Sequence, residues 1–159
     1  MKKPRLDDID LRIIDELQRD GRITNVELAG RVGISAPPCL RRVRALEQAG
    51  FINGYHARVN PALLGFGVTV FAMVGLHSQA EADLQAFEAR VEGWREVREC
   101  HMLNGDIDFI LKCVAPDLAS FQNFLTRELT PAPNVANVRT SLTIRQSKQA
   151  AGVPVDMVK

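Results

Sequence analysis

Arg41, Arg42 and Arg44 fall within the run Ser35-Ala36-Pro37-Pro38-Cys39-Leu40-Arg41-Arg42-Val43-Arg44-Ala45-Leu46-Glu47-Gln48-Ala49-Gly50. A guanidinium is always charged and offers a planar fork of N–H donors, which suits phosphate oxygens and the O6/N7 edge of guanine. On a helix turning about 100° per residue, Leu40, Val43, Leu46 and the stem of Glu47 share one side. The other side carries Pro38, Arg41, Ala45 and Gln48, with Arg42 and Arg44 on its flanks. A basic helix by itself is usually a solvated face, so its neighbours must decide.

Other chemistry is poorly supported. Cys100 and His101 are adjacent on a predicted strand, point to opposite faces and cannot form a nucleophile–base pair. His77 ends a strand as a surface residue. No phosphate loop and no metal-ligand cluster is present, so neither a metal nor a cofactor is expected, and the chain does not read as an enzyme. Cys39, Cys100 and Cys113 are three and widely spaced, which suggests neither a disulfide framework nor a zinc site. No apolar run follows Met1-Lys2-Lys3 or reaches spanning length, so a reduced, cytoplasmic protein with no membrane partner is expected.

The 159 residues are enough for one medium or two small domains, and 46% apolar with 25% charged residues is ordinary for a globular chain. The net charge of +1 conceals an asymmetry: residues 1–60 carry 11 Lys/Arg against 8 Asp/Glu, and residues 61–159 carry 9 against 11. A local basic patch fits a nucleic-acid footprint.

Three helices must position that patch. Asp7 is the predicted N-cap of the first, with Ile9, Ile13, Ile14 and Leu17 as its stripe and Gly21 after its end. Thr24-Asn25-Val26-Glu27 is a capping box opening the second, which stops at Gly33. The turn Gly33-Ile34-Ser35 then makes the next helix cross steeply, as in a helix-turn-helix. Pro37 and Pro38 fit only a first helical turn, which predicts a start at Pro37 or Pro38. Ser35 is placed to cap that helix or to donate to a phosphate.

The run from Asp20-Gly21-Arg22-Ile23-Thr24 to Gly33-Ile34-Ser35, followed by Pro38-Cys39-Leu40-Arg41-Arg42-Val43-Arg44 and Leu46-Glu47, resembles the leucine-responsive regulator (Lrp/AsnC) family of transcription factors. The resemblance extends over nearly the whole chain. It implies that the third helix enters the major groove of double-stranded DNA and that the DNA-binding segment runs from Asn25 to Arg44. The helical wheel adds roles: Arg41 reads a base edge, while Arg42 and Arg44 diverge toward phosphates. The expected DNA-binding residues are Asn25, Ser35, Pro37, Pro38, Arg41, Arg42, Arg44, Ala45 and Gln48.

Beyond Gly50 the period changes to extended chain, punctuated by Asn60-Pro61 and Gly65-Phe66-Gly67. Tyr55 and His56 read as packing or rim residues; the resemblance implies a hinge strand pairing with that of a partner subunit. From Val68 the order is strand, helix, strand, strand, helix, strand. The first strand is apolar at nearly every position. Leu84, Phe87 and Val91 mark one helix, and Leu118, Phe121, Leu125 and Leu129 the other. The last strand is predicted over 138–144. This βαββαβ order is ferredoxin-like. With both helices on one face, the other needs a cover, which suggests dimerisation through the sheet.

Met102-Leu103-Asn104-Gly105-Asp106-Ile107-Asp108 resembles the family's effector loop. An amino-acid effector needs an acceptor for its ammonium, which Asp106 or Asp108 can supply, and donors for its carboxylate near Gly105. The resemblance adds Gln122, Thr126, Val138, Arg139 and Thr140 to a pocket between dimers; on charge alone, Arg139 is the residue of these that could neutralise the effector carboxylate. The competing reading is a tight hairpin whose aspartates only cap backbone groups.

The expected architecture is therefore α+β: a helix-turn-helix, winged-helix-like domain over 1–52, a hinge over 53–67, a ferredoxin-like effector and oligomerisation domain over 68–146, and a tail over 147–159. The expected function is a sequence-specific DNA-binding regulator answering to an amino acid or related small effector, as a homodimer that assembles further, to octamers in the family. The alternative is a metabolite-binding regulatory subunit that acts through protein contacts.

Overall fold

The structure, a computed structural model, describes residues 5–158. The ends of the expected sequence domains, 1–4 and Lys159, lie outside the described residues. Packing divides the chain into two compact units. One holds the residues up to Arg58 together with the segment from Lys148 onward, and the other is Val59–Ser147.

The first unit is built on α1 (Asp8–Arg19), α2 (Asn25–Val32) and α3 (Ala36–Gln48). Asp7 caps α1 in a reciprocal box with Asp10, and Thr24 caps α2 in the same way with Glu27. Each box satisfies two backbone donors that the helix itself leaves without acceptors. At the end of α1 the chain turns out through Asp20 in an extended conformation, and Gly21 takes no left-handed φ. Gly33 does close α2 with φ 79°, donating back to Ala29 and Gly30 carbonyls. A side chain there would be strained, which is why the tight turn to α3 carries glycine. Ile13, Leu28, Ala29, Val32, Cys39 and Leu46 form the buried core, with Ile34 and Val43 packed against it.

The segment after residue 147 also belongs to this unit. The Gln18 side-chain amide donates to the Val153 carbonyl at 3.0 Å, and the Val153 N–H donates to Gln18 Oε1 at 2.6 Å. Gly152, with φ 61°, lies so close to Gln18 that any Cβ would overlap it.

The second unit is a four-stranded antiparallel sheet in the order β2-β3-β1-β4, with β1 (Val68–Leu76), β2 (Val97–Met102), β3 (Phe109–Ala115) and β4 (Val135–Leu142). The helices α4 (Glu81–Glu92) and α5 (Leu118–Phe124) supply Phe87, Val91, Phe121 and Phe124 to its core. Opposite them the sheet contributes Val70, Ala72, Val74 and Leu76 from β1 and Phe109, Leu111, Cys113 and Ala115 from β3. Strand alternation turns Phe71 and Met73, with Ile110 and Val114, to the other face. Phe71 remains 37% exposed there. The apolar continuity of β1 thus serves two faces, and only one is covered by helices.

Two predicted elements shift. Pairing of β4 begins at Val135 opposite Leu76, across an irregularity at Gly75, and ends at Leu142, leaving Ile144 98% exposed. Leu118 is 56% exposed because it is the first residue after the Asp117 cap; burial starts at Phe121, and a wider π-type turn, Leu125–Leu129, brings Leu129 back into the core.

Phe109 is fully buried, with its ring centroid 4.8 Å from that of Phe87. Phe109→Ala is expected to destabilise the second unit by about 3–5 kcal/mol. Leu118→Ala should stay within about 0.5 kcal/mol. Urea unfolding followed by Trp94 fluorescence checks both.

Candidate functional site

α3 begins at Ala36, one residue before the earliest predicted start, with Ser35 as its N-cap. The prolines therefore occupy the second and third helical positions. An N-cap side chain normally accepts from the N–H of one of those two residues. Here both are prolines and have none. Ser35 accordingly makes no capping bond, and the first backbone donor is Cys39 to the Ser35 carbonyl at 3.2 Å. The capping role expected of Ser35 fails for that reason, and its hydroxyl stays exposed beside the outer face.

The buried stripe of α3 is Cys39, Val43 and Leu46, not Leu40, Val43 and Leu46: Cys39 is fully buried and Leu40 is 39% exposed. Burial raises the Cys39 thiol above its usual pKa, as befits a core residue. The stripe turns the helix so that Pro37, Arg41, Arg44, Ala45 and Gln48 are exposed and Pro38 is half-buried. Neither Arg41 nor Arg44 enters a salt bridge among the described residues.

Arg42 departs from its expected place. Its Nη1 lies 2.7 Å from Asp10 Oδ1 and 2.8 Å from Asp7 Oδ2, and the side chain is half-buried against α1. The hydrogen bonds to Asp10 and then Asp7 hold the guanidinium above its ordinary pKa. The sequence signal was available in Cys39-x-x-Arg42-Val43-x-x-Leu46, an i, i+3, i+4, i+7 series that places position 42 toward the core side.

Asn25 also turns inward. Its Nδ2 donates to the Ala36 carbonyl at 2.8 Å, and its Oδ1 is buried without a partner among the described residues. It ties the start of α2 to the start of α3. Tyr55 was expected to pack and does more: its hydroxyl donates to Glu47 Oε1 at 3.0 Å, and desolvation, followed by that bond, pushes its pKa up to about 12.

In the second unit, residues 103–108 close a hairpin in which the Leu103 N–H donates to the Asp108 carbonyl at 2.8 Å. Asp108 is only 9% exposed, and its Oδ2 accepts from the Leu76 N–H at 2.6 Å while its own N–H donates to Val74. Its carboxylate finishes the end of β1, as the competing reading of the aspartates had it. Asp106, Asn104 and Gly105 are exposed, as are Met102 and Leu103, while Ile107 is half-buried. A Cβ on Gly105 would meet nothing within 4 Å.

Gln122 and Thr126 are exposed one turn apart, and the Thr126 hydroxyl donates to the Gln122 carbonyl at 2.9 Å. Register separates the β4 residues. Val138 and Thr140 lie opposite Val74 and Ala72 on the helix-covered face, whereas Arg139 lies opposite Met73 on the other. Within one protomer Arg139 therefore cannot share a face with its two neighbours. The same register puts Cys100 beside Leu111 on the core side and His101 beside Ile110 on the open side. Among the described residues no group of three or more potential ligands could hold a metal ion, and no helix is long and apolar enough to cross a membrane.

Asp108→Ala should cost about 1–3 kcal/mol, because the Leu76 N–H is left without its buried acceptor, whereas Asp106→Asn should leave the melting temperature unchanged. Acid should weaken the first unit. Asp7 is held below its ordinary 3.8 first by the Asp10 backbone bond and then by Arg42, and Glu27 below 4.5 by Thr24. Carboxyls lowered by folding add stability that is complete above their unfolded pKa and drains as pH falls through the folded one. Helical circular dichroism titrated downward from pH 5 checks that sign.

Comparison with known proteins agrees with both units. Residues 6–53 match the winged helix-turn-helix DNA-binding family, and residues 69–153 match the Lrp/AsnC ligand binding domain. The leucine-responsive regulatory protein of Rhizobium meliloti (strain 1021) is 59% identical over 150 residues, 94% of this chain and 96% of that protein. Its Escherichia coli (strain K12) namesake is 43% identical over 145 residues, 91% and 88% of the two chains. The crystal structure of a Neisseria meningitidis transcriptional regulator in complex with L-Met has a TM-score of 0.92 at 33% identity, covering 98% of this chain and 100% of that one. An AsnC family transcriptional regulator from Agrobacterium tumefaciens gives 0.90 at 30% identity, with 97% and 100% covered. This chain belongs to the Lrp/AsnC family of DNA-binding transcriptional regulators.

Proposed function

We propose that the protein reads operator DNA with the outer face of α3 and tunes that reading through an amino acid held at the 102–108 hairpin. The observation that carries the reading is the exposure of Arg41 and Arg44 with Pro37, Ala45 and Gln48 on one side of a helix whose opposite side is buried. Arg41 is assigned to a guanine edge and Arg44 to phosphate, with the free Ser35 hydroxyl at a second phosphate. The two prolines leave Ala36 alone among the first three helical residues with an N–H. The helix start therefore binds phosphate through Ser35 more than through a ring of backbone amides.

For the effector, Asp106 is the better ammonium partner, since Asp108 is already committed to Leu76. Met102, Leu103 and Ile107 supply apolar contact; Gln122, Thr126, Val138 and Thr140 complete the pocket from neighbouring copies, and Arg139 enters it only from a different copy than those two β4 residues. The ligand class is suggested by the L-Met held by the Neisseria regulator. The half-buried Met73, Ile110 and Val114 with Phe71 on the open sheet face favour a homodimer, which assembles further, to an octamer, and acts on DNA in the cytoplasm. Two copies present two α3 helices, so half-sites about one DNA turn apart, roughly 34–36 Å, are expected. An effector that favours one assembly shifts the affinity of the paired helices by linkage.

Arg41→Ala should lower discrimination at one base position by about 1–3 kcal/mol, and Arg44→Ala should reduce the slope of log K against log [salt] by about 0.9. Quantitative gel shift on selected and random duplexes reads both. Negligible affinity for any duplex at low salt would leave α3 as a protein-docking helix instead. In a thermal screen of the amino acids, a true effector at about 100 times its Kd adds about 2.7 kcal/mol of stability. Asp106→Asn should abolish that shift, and a flat response throughout would refute amino-acid sensing.

A further inference from the structure

The two carboxylates that hold Arg42 each do two jobs. Asp7 Oδ1 accepts from the Asp10 N–H at 2.8 Å, and Asp10 Oδ2 accepts from the Asp7 N–H at 3.2 Å, which makes the capping box of α1. The remaining oxygens, Asp7 Oδ2 and Asp10 Oδ1, both receive Arg42 Nη1, at 2.8 and 2.7 Å. That nitrogen has two hydrogens, and both are used. The box is thus a rigid socket on α1 into which α3 is plugged.

We infer that Arg42 is a positioning residue for base reading: it sets the roll of α3 about its own axis and makes no phosphate contact. The apolar side of α3, Cys39, Val43 and Leu46, resists separation, but apolar contact is non-directional and weakly opposes a roll. A paired guanidinium is directional. A roll of about 20° would carry an arginine tip by roughly 2 Å at the radius of a helix with its side chains, more than a bidentate hydrogen bond tolerates. Arg41 is the adjacent residue, so its aim follows that of Arg42. Phosphate is disfavoured at Arg42 on charge as well, since one guanidinium between two carboxylates carries a formal −1. The inference rests on the assignment of the outer face of α3 to DNA.

The test uses the full chain, a duplex selected by the wild type from a random pool, and random duplex, each titrated across a salt series. The variants are Arg42→Gln and the pair Asp7→Asn with Asp10→Asn; asparagine still caps a helix, so α1 keeps its start. Both variants should lose at least tenfold in preference for the selected duplex with an unchanged salt slope, and combining them should add no further loss. Arg44→Ala is the contrast, with preference kept and slope reduced. Measurements are made below each variant's melting transition, and if Arg42→Gln does not fold, the asparagine pair gives the same readout alone. A salt slope reduced by Arg42→Gln would make Arg42 a phosphate ligand and overturn the inference. Lowered melting temperatures with preference intact would overturn it equally, by leaving only a structural brace. Absence of salt-dependent duplex binding by the wild type is a different failure, that of the DNA reading itself.

Discussion

Two successive prolines near the start of α3 impose the constraint on which the first unit turns. They remove the two N–H groups that an N-cap side chain would use, so the entry to the helix must be fixed by other means. Asn25 does this from α2, through the Ala36 carbonyl. Cys39, the first residue after the prolines with an N–H, is also the first fully buried one, so the hydrogen-bonded helix and the packed helix begin together. What a conventional cap would have occupied, the Ser35 hydroxyl, is left at the surface next to the exposed arginines.

The second unit depends on β1 in a comparable way. It pairs on both edges, and its alternate residues divide between a helix-packed core and an open face. Its last amide is satisfied by a side chain from the 103–108 hairpin, since Asp108 accepts from Leu76. The hairpin is therefore anchored by one aspartate and leaves the other, Asp106, in solvent. Anchor and candidate ligand residue are two positions apart on the same loop, so a rigid frame holds an exposed carboxylate near the end of the sheet.

The order of the elements, the Asp7 cap, the Thr24–Glu27 capping box and the hairpin were legible in the sequence because each is encoded within a few residues; the reciprocal bond from Asp10 back to Asp7 was not read there. Sequence reading did less well where a choice depends on partners distant in the chain. The helical wheel put Leu40 on the buried side with Val43 and Leu46, but Cys39 is the residue that joins Ile13 and Leu28 in the core, which rotates the stripe. That rotation moves Arg42 from a flank of the outer face to the socket on α1, a contact spanning more than thirty positions. The aspartates of the hairpin were indistinguishable by spacing; only the register of β1 against β3 separates them. The family resemblance named Val138, Arg139 and Thr140 as neighbours, and strand alternation divides them between faces.

The return of the segment beyond residue 147 to the first unit alters how the chain is to be thought of. In terms of connectivity, Val59–Ser147 is an insertion within a domain whose two chain segments meet where Gln18 of α1 bonds Val153. Both ends of the inserted unit are covalently fastened to the same body. Its entropic freedom is that of a closed loop rather than of a bead on a single string, and the cost of closure grows only slowly with loop length. The junction of Gln18 with Val153 depends on the absence of a side chain at Gly152, where even a methyl group would displace the Gln18 amide.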